Sequence, residues 1–188
     1  MLKPEVKDNN DAVRRRAVEI VRRLRREGFD AYFVGGCVRD FIRKSVPDDY
    51  DIVTSALPEQ VMALFPRTVA VGVKFGIVAV VVHGHPYEVA TFRGDDVYID
   101  GRRPSSVHFS DSREDVLRRD FTVNGLLMDP ETGEIIDYVG GREDIEKRII
   151  RTIGDTDKRF NEDYLRTLRA VRFAANLNYD LDPATGEA

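Results

Sequence analysis

GGCVRDFIRKSVPDDYDIVTS, residues 35–55, sets two glycines, a short amphipathic run and two alternating aspartates in one span. An apolar strand over 31–34 leads into Gly35-Gly36. A helix follows over 37–44 with Val38, Phe41 and Ile42 turned inward, and Pro47 cannot continue it. The spacing predicts a second strand over 49–53. Strand side chains alternate faces, so Asp49 and Asp51 share one face and Tyr50 takes the other. Two carboxylates on one face repel unless a cation lies between them. Mg²⁺, a hard oxygen-seeking ion that keeps several waters and completes its shell with phosphate, suits such a pair and makes it a template for two-metal phosphoryl transfer. Gly35 and Gly36, where a strand closes and a helix opens, offer unobstructed backbone N–H groups to a triphosphate, and Arg39 adds a charge-assisted contact. Taken singly, each feature has a plainer reading: a solvated strand edge, a tight turn, an Arg39–Asp40 surface pair. The pattern is neither GxGxxG nor GxxxxGK[ST].

The 188 residues suit one sizeable domain, or one domain with a helical appendage, and the 42% apolar fraction excludes general disorder. A single cysteine, Cys37, excludes an intrachain disulfide. With no leader-like opening, this points to a reducing cytoplasm. No apolar run reaches membrane-span length. The net charge of −4 does not describe a globally basic nucleic-acid binder, yet arginines cluster over 14–26 and recur at 102, 103, 118, 119, 166, 169 and 172.

Helices are predicted over 11–27, with Asp11 as N-cap, from Pro58 to before Pro66, over 111–119 and over 161–175. Residues 68–71, 77–82 and 87–92 read as an antiparallel meander, two short strands flank Asp129-Pro130, and 94–110 reads as a mobile loop. The 161–175 helix carries an apolar stripe of Leu165, Leu168, Val171 and Phe173. His83 and His85 read as turn residues, Cys37 as a small packing residue, and the arginine-rich first helix as a solvated face.

Gly35-Gly36, Arg39 and Asp49-x-Asp51 on a strand–turn–helix–strand frame resemble the head of the polymerase-β-like nucleotidyltransferases. Within these the chain is similar to the bacterial class II tRNA nucleotidyltransferase and poly(A) polymerase family, whose first motif reads GG-x-VRD followed by D-x-D. Residues 118–124, RRDFTVN, match the family's second motif. The resemblance implies that Arg119 and Asp120 contact the incoming nucleotide and its ribose. Residues 137–155 match the third motif, a springy connection between head and neck. Glu162, Asp163 and Arg166 match ED-x-x-R, with Arg169 and Arg172 continuing the helical spacing. A carboxylate accepting from an exocyclic amine and a guanidinium donating to ring atoms can read a base edge without a template. Cytosine and adenine both carry the amine. Glu88 lies where the family has an acidic residue before its TFR, and is a candidate third carboxylate for general-base or metal support.

The resemblance covers 32–182. It implies an α+β fold in which a mixed or antiparallel sheet is flanked by helices: an N-terminal basic helix over 1–29, a head over 30–140 and the start of a helical neck over 141–188, with body and tail outside these residues. It implies template-independent addition of CMP or AMP from CTP and ATP to a tRNA or other RNA 3′ end, with Mg²⁺ as cofactor. The 94–110 loop, with Arg102-Arg103-Pro104, favours A addition. Poly(A) tailing, a catalytically silent nucleotide- or RNA-binding module and a phosphohydrolase remain as alternatives.

Overall fold

The computed structural model describes residues 4–96 and 105–188. The elements in chain order are α1 (Pro4–Arg26), β1 (Ala31–Val34), α2 (Gly36–Ile42), β2 (Ile52–Thr54), α3 (Pro58–Leu64), β3 (Thr68–Gly72), β4 (Ile77–Val82), β5 (His85–Thr91), β6 (Arg93–Asp95) and β7 (Val107–Phe109). They continue with α4 (Ser112–Leu117), β8 (Leu126–Met128), β9 (Ile135–Asp137), α5 (Gly141–Lys147), β10 (Ile149–Ile150), α6 (Thr156–Glu162), α7 (Leu165–Leu177), β11 (Asp180–Leu181) and α8 (Pro183–Glu187). The chain divides into two compact units, Met1–Phe92 with Leu127–Ile135, and Arg93–Leu126 with Ile136–Ala188.

The first unit is built on a seven-stranded mixed sheet in the order β3-β4-β5-β2-β1-β8-β9, as the α+β reading expects. The β3-β4-β5 meander is antiparallel, and β2 runs parallel to β5. Val13, Ala17, Ile20, Val21 and Leu24 recur every three or four residues along α1 and are buried, so this helix covers the sheet with one stripe. Arg25 on its flank donates to the Ala31 carbonyl and pairs with Asp129 at 3.0 Å. Phe33, Ile52, Tyr87 and Val89 fill the core, each contributing about 1.5–3 kcal/mol by leaving water. Gly28, at φ +86°, ends α1 in a conformation that side chains resist. The helix begins at Pro4 rather than at an Asp11 cap. Proline is tolerated in a first turn, and Asp11 lies in the helix interior.

The second unit packs Val116, Phe121, Val123, Ile145, Ile150, Ile153 and Phe160. Asp111 caps α4 by accepting from the Glu114 N–H at 2.9 Å, and Asp155 caps α6 by accepting from Lys158 at 2.8 Å. Asp137 gathers the N–H groups of Val139, Gly140, Gly141 and Arg142 at the start of α5. Two expectations change here. The 94–110 loop begins and ends in a hairpin, because β6 pairs antiparallel with β7; Arg102, Arg103 and Pro104 lie outside the described residues. The helix over 161–175 is two helices broken at Asp163-Tyr164, where the Asp163 carboxylate accepts from the Leu165 N–H at 3.0 Å. On α7 three members of the predicted apolar stripe are exposed, Leu165, Leu168 at 68% and Val171 at 58%, while Phe173 is half-buried with its ring against Phe121.

Candidate active site

In the first unit, Gly35 precedes α2 at φ +72°, a left-handed conformation that selects glycine. Helical geometry leaves the N–H groups of Gly36, Cys37 and Val38 without intrahelical acceptors. Arg39, one turn on, sets Nε and Nη2 on the two oxygens of Asp40 at 3.0 and 3.2 Å. The plain reading of an Arg39–Asp40 pair is thus present, though the pair is largely buried.

Strand β2 begins at Ile52, so Asp49, Tyr50 and Asp51 lead into it rather than lying within it. The extended alternation holds nonetheless: Tyr50 is buried, Asp49 is exposed and Asp51 is half-buried. The Asp51 carbonyl accepts from the Val34 N–H at 3.1 Å, tying this segment to the strand that ends at the glycines. Tyr50 anchors it from below, its ring against Phe33 and Phe41 and its hydroxyl donating to Asn10 Oδ1 at 2.7 Å. Asn10 Nδ2 also donates to the Pro47 carbonyl, so α1 grips both ends of the turn before the aspartates. Burial pushes the Tyr50 phenol up to about 12, which keeps it a neutral donor at physiological pH.

In the sheet register Ile52 pairs with Val89. One residue back along both strands, Glu88 neighbours Asp51 on the opposite face from those two core residues. Among the described residues no group of three or more His, Cys, Asp or Glu side chains is placed to hold a metal ion. The candidate donor set is the Asp49/Asp51 pair, Asp49 exposed and Asp51 half-buried. That suits a hard ion which takes its remaining ligands from water and phosphate, and not one needing a closed protein cage. Cys37 is buried, donates to the Val34 carbonyl, and is pushed up to about 12 by burial and then by the charge of Asp51. It is a packing residue. His83, at φ +49°, occupies the β4–β5 turn.

The second unit gathers the other candidates. Asp120 takes the Phe121 N–H on Oδ1 and Arg169 on Oδ2. Arg166 is 6% exposed and donates to Glu162, to the Arg159 carbonyl and to the Arg118 carbonyl. Burial pushes the Glu162 carboxyl up, but its bonds from Arg166 and Arg159 outweigh this and hold it below its ordinary value. Asp163 lies at the helix break, off the ridge formed by Arg166, Arg169 and Arg172. Arg172 stacks on Phe173 with its guanidinium 5.4 Å from the ring centroid. Arg119 is held by Asp115, a buried carboxylate that the motif reading does not include. The available signal was its spacing, three and four residues before two arginines.

Residues 31–151 match the family model described as the poly A polymerase head domain. The chain belongs to that family. It is 55% identical over 173 residues to a CCA-adding enzyme of Geobacillus stearothermophilus, an alignment covering 92% of this chain and 43% of that one. The crystal structure of the Bacillus stearothermophilus CCA-adding enzyme in complex with CTP superposes with a TM-score of 0.83 at 48% identity, covering 99% of this chain and 43% of that one. A tRNA nucleotidyltransferase complexed with a primer tRNA and an incoming ATP analog matches with a TM-score of 0.71 at 30% identity, covering 89% of this chain and 48% of the other. The chain thus spans less than half the length of these relatives. No helix among the described residues is long and apolar enough to cross a membrane.

Proposed function

We propose that this chain is the nucleotide-handling part of a template-independent RNA nucleotidyltransferase. It would add CMP, AMP or both from CTP and ATP to a tRNA 3′ end and release pyrophosphate. The observation that carries this reading is the Asp49/Asp51 pair, anchored by buried Tyr50 and tied to a glycine-led helix, in a chain this similar to CCA-adding enzymes.

Asp49 and Asp51 would hold Mg²⁺, with Glu88 on the adjacent strand supporting them. When bound there, Mg²⁺ supplies charge neutralisation at the triphosphate and lowers the pKa of the attacking 3′-hydroxyl. The N–H groups opening α2, with Arg39, would orient the triphosphate. Arg119 would meet phosphate or sugar, and Asp120, its oxygens directed by Arg169 and Phe121, would accept from ribose hydroxyls. Asp163 would accept from the exocyclic amine shared by cytosine and adenine, with Arg166 donating to ring atoms. Arg169 and Arg172 continue the α7 ridge from Arg166, and Asp163 approaches from the break before that helix. We assign residues 1–29 as a supporting basic helix, 30–140 as the head and 141–188 as the start of a neck, in a cytoplasmic protein.

The test is product length. The chain is incubated with Mg²⁺, each labelled NTP, and tRNAs ending before CCA, after C or after CC. Addition that stops at CCA supports the reading. An unbounded A tract identifies poly(A) tailing, phosphate release without a primer identifies a hydrolase, and nucleotide binding without turnover identifies a silent module.

A further inference from the structure

Asp115 lies in α4, one turn before the Arg118-Arg119-Asp120 run, and none of its side chain reaches solvent. Its Oδ1 accepts from Nε and Nη2 of Arg118 at 3.0 and 2.7 Å. Its Oδ2 accepts from Nε and Nη2 of Arg119 at 3.2 and 2.8 Å. One carboxylate therefore receives four guanidinium N–H donors, two on each oxygen, and Oδ1 also accepts from the Arg93 backbone N–H at 3.4 Å. Burial pushes its pKa up, but the charges of Arg119 and Arg118 outweigh this and hold it below the ordinary carboxylate value, so it stays ionised.

The two arginines are not equivalent. Arg118 has a second carboxylate, Asp95, at 3.7 Å, whereas among the described residues Arg119 pairs with Asp115 alone. Arg119 also lies past the last turn of α4, where helical periodicity no longer fixes a side chain's direction. It keeps 19% of its side chain exposed while Asp115 keeps none. The guanidinium is thus gripped along its Nε–Nη2 edge, and Nη1 takes no part in the grip.

We propose that Asp115 is a positioning residue: it fixes the direction of the Arg119 guanidinium and so sets how this chain meets the anionic part of a nucleoside triphosphate. The proposal rests on the reading of Arg119 as a nucleotide contact. Long side chains have much rotamer freedom to lose on binding, and the buried pair removes that freedom beforehand. An uncharged residue at 115 would leave two guanidiniums facing each other without their shared anion.

The test is calorimetric titration of CTP with Mg²⁺ into the 188-residue chain and its Asp115→Asn, Arg119→Ala and doubly substituted variants, each checked by circular dichroism. Asp115→Asn is expected to weaken binding about tenfold, the scale of losing a charge-assisted hydrogen bond. Arg119→Ala should weaken it at least as much, and the double variant no more than Arg119→Ala alone, because both act through one group. Should Asp115→Asn not fold, Asp115→Asn/Arg118→Gln removes the surplus charge and carries the same comparison. Wild-type affinity in a folded Asp115 variant, or losses that multiply in the double, overturns the proposal while leaving the Arg119 contact in place. Wild-type affinity in Arg119→Ala overturns the contact itself, and the proposal with it.

Discussion

Arg169 directs both Nε and Nη2 to a single oxygen of Asp120, Oδ2, at 2.7 and 2.6 Å. The second arginine of the α7 ridge that we propose to read the base is therefore engaged in aligning the carboxylate that we assign to ribose. Asp120 is 9% exposed and Arg169 is 41% exposed along its side chain, so the pair is only partly desolvated. Arg169→Gln should cost no more than about 1 kcal/mol of stability, a shift in Tm of a few degrees by calorimetry. The same variant should raise the Kd for CTP about five- to tenfold, because Asp120 loses the donor that orients it. Affinity unchanged from wild type would show that this pair is only structural.

The β6–β7 hairpin should fasten in a pH window. His108 Nδ1 lies 3.1 Å from Asp96 Oδ1, and Nε2 lies 2.9 Å from Glu114 Oε1 on α4. Hydrogen bonding to Glu114 and then Asp96 raises the imidazole above its ordinary 6.5. Bonds from Ser106 and then His108 lower Asp96 below its ordinary 3.8. The raised group contributes stability that is complete below its unfolded value and lost as pH rises through its folded one. The depressed group contributes stability that is present above its unfolded value and lost as pH falls through its folded one. Amide exchange of Gly94 and His108, corrected for intrinsic rate, should be slowest between about pH 4 and 6.5 and faster on either side. His108→Gln should flatten the alkaline limb, and an unchanged limb would remove His108 from the account.

Gly141 opens α5, and a Cβ there would overlap the Thr122 carbonyl oxygen. The neighbouring bond from Thr122 Oγ1 to Asp144 Oδ2 at 2.7 Å holds the two segments together. Gly141→Ala must push the backbone after Phe121 aside, at a cost of about 1–3 kcal/mol. Denaturant unfolding should show a lowered midpoint. Gly133→Ala, with nothing within 4 Å of its Cβ but φ at +77°, should cost only about 1 kcal/mol. An equal loss at both glycines would mean that close approach is not what selects Gly141.

Periodic apolar segments and special backbone positions were legible in the sequence. Residues 77–82 form β4 with the predicted bounds, and the Asp49-Tyr50-Asp51 alternation survives although β2 starts at Ile52, three residues after the predicted start, because a buried Tyr50 fixes the phase. Strands β6 and β7 were missed: three residues each, with Gly94, Asp95 and His108 among them, they carry no alternation to read. The break between α6 and α7 was hidden because it has no Gly or Pro, only an Asp163 carboxylate competing for the Leu165 N–H. The exposed Leu165, Leu168 and Val171 show that helical spacing identifies a stripe without saying what covers it. Asp115 and Arg166 were beyond composition for the same reason: a charged residue is buried by the tertiary partners that compensate it.

The central claim is that Asp49 and Asp51 carry the chemistry, and the most direct measurement is incorporation of labelled CMP or AMP into an RNA primer by the wild type and by Asp51→Ala, with folding checked by circular dichroism. The account predicts Mg²⁺-dependent incorporation by the wild type and its loss, by at least about a thousandfold, in a folded Asp51→Ala protein, on the scale of removing a group that stabilises transferring phosphate. Robust incorporation by Asp51→Ala would contradict it.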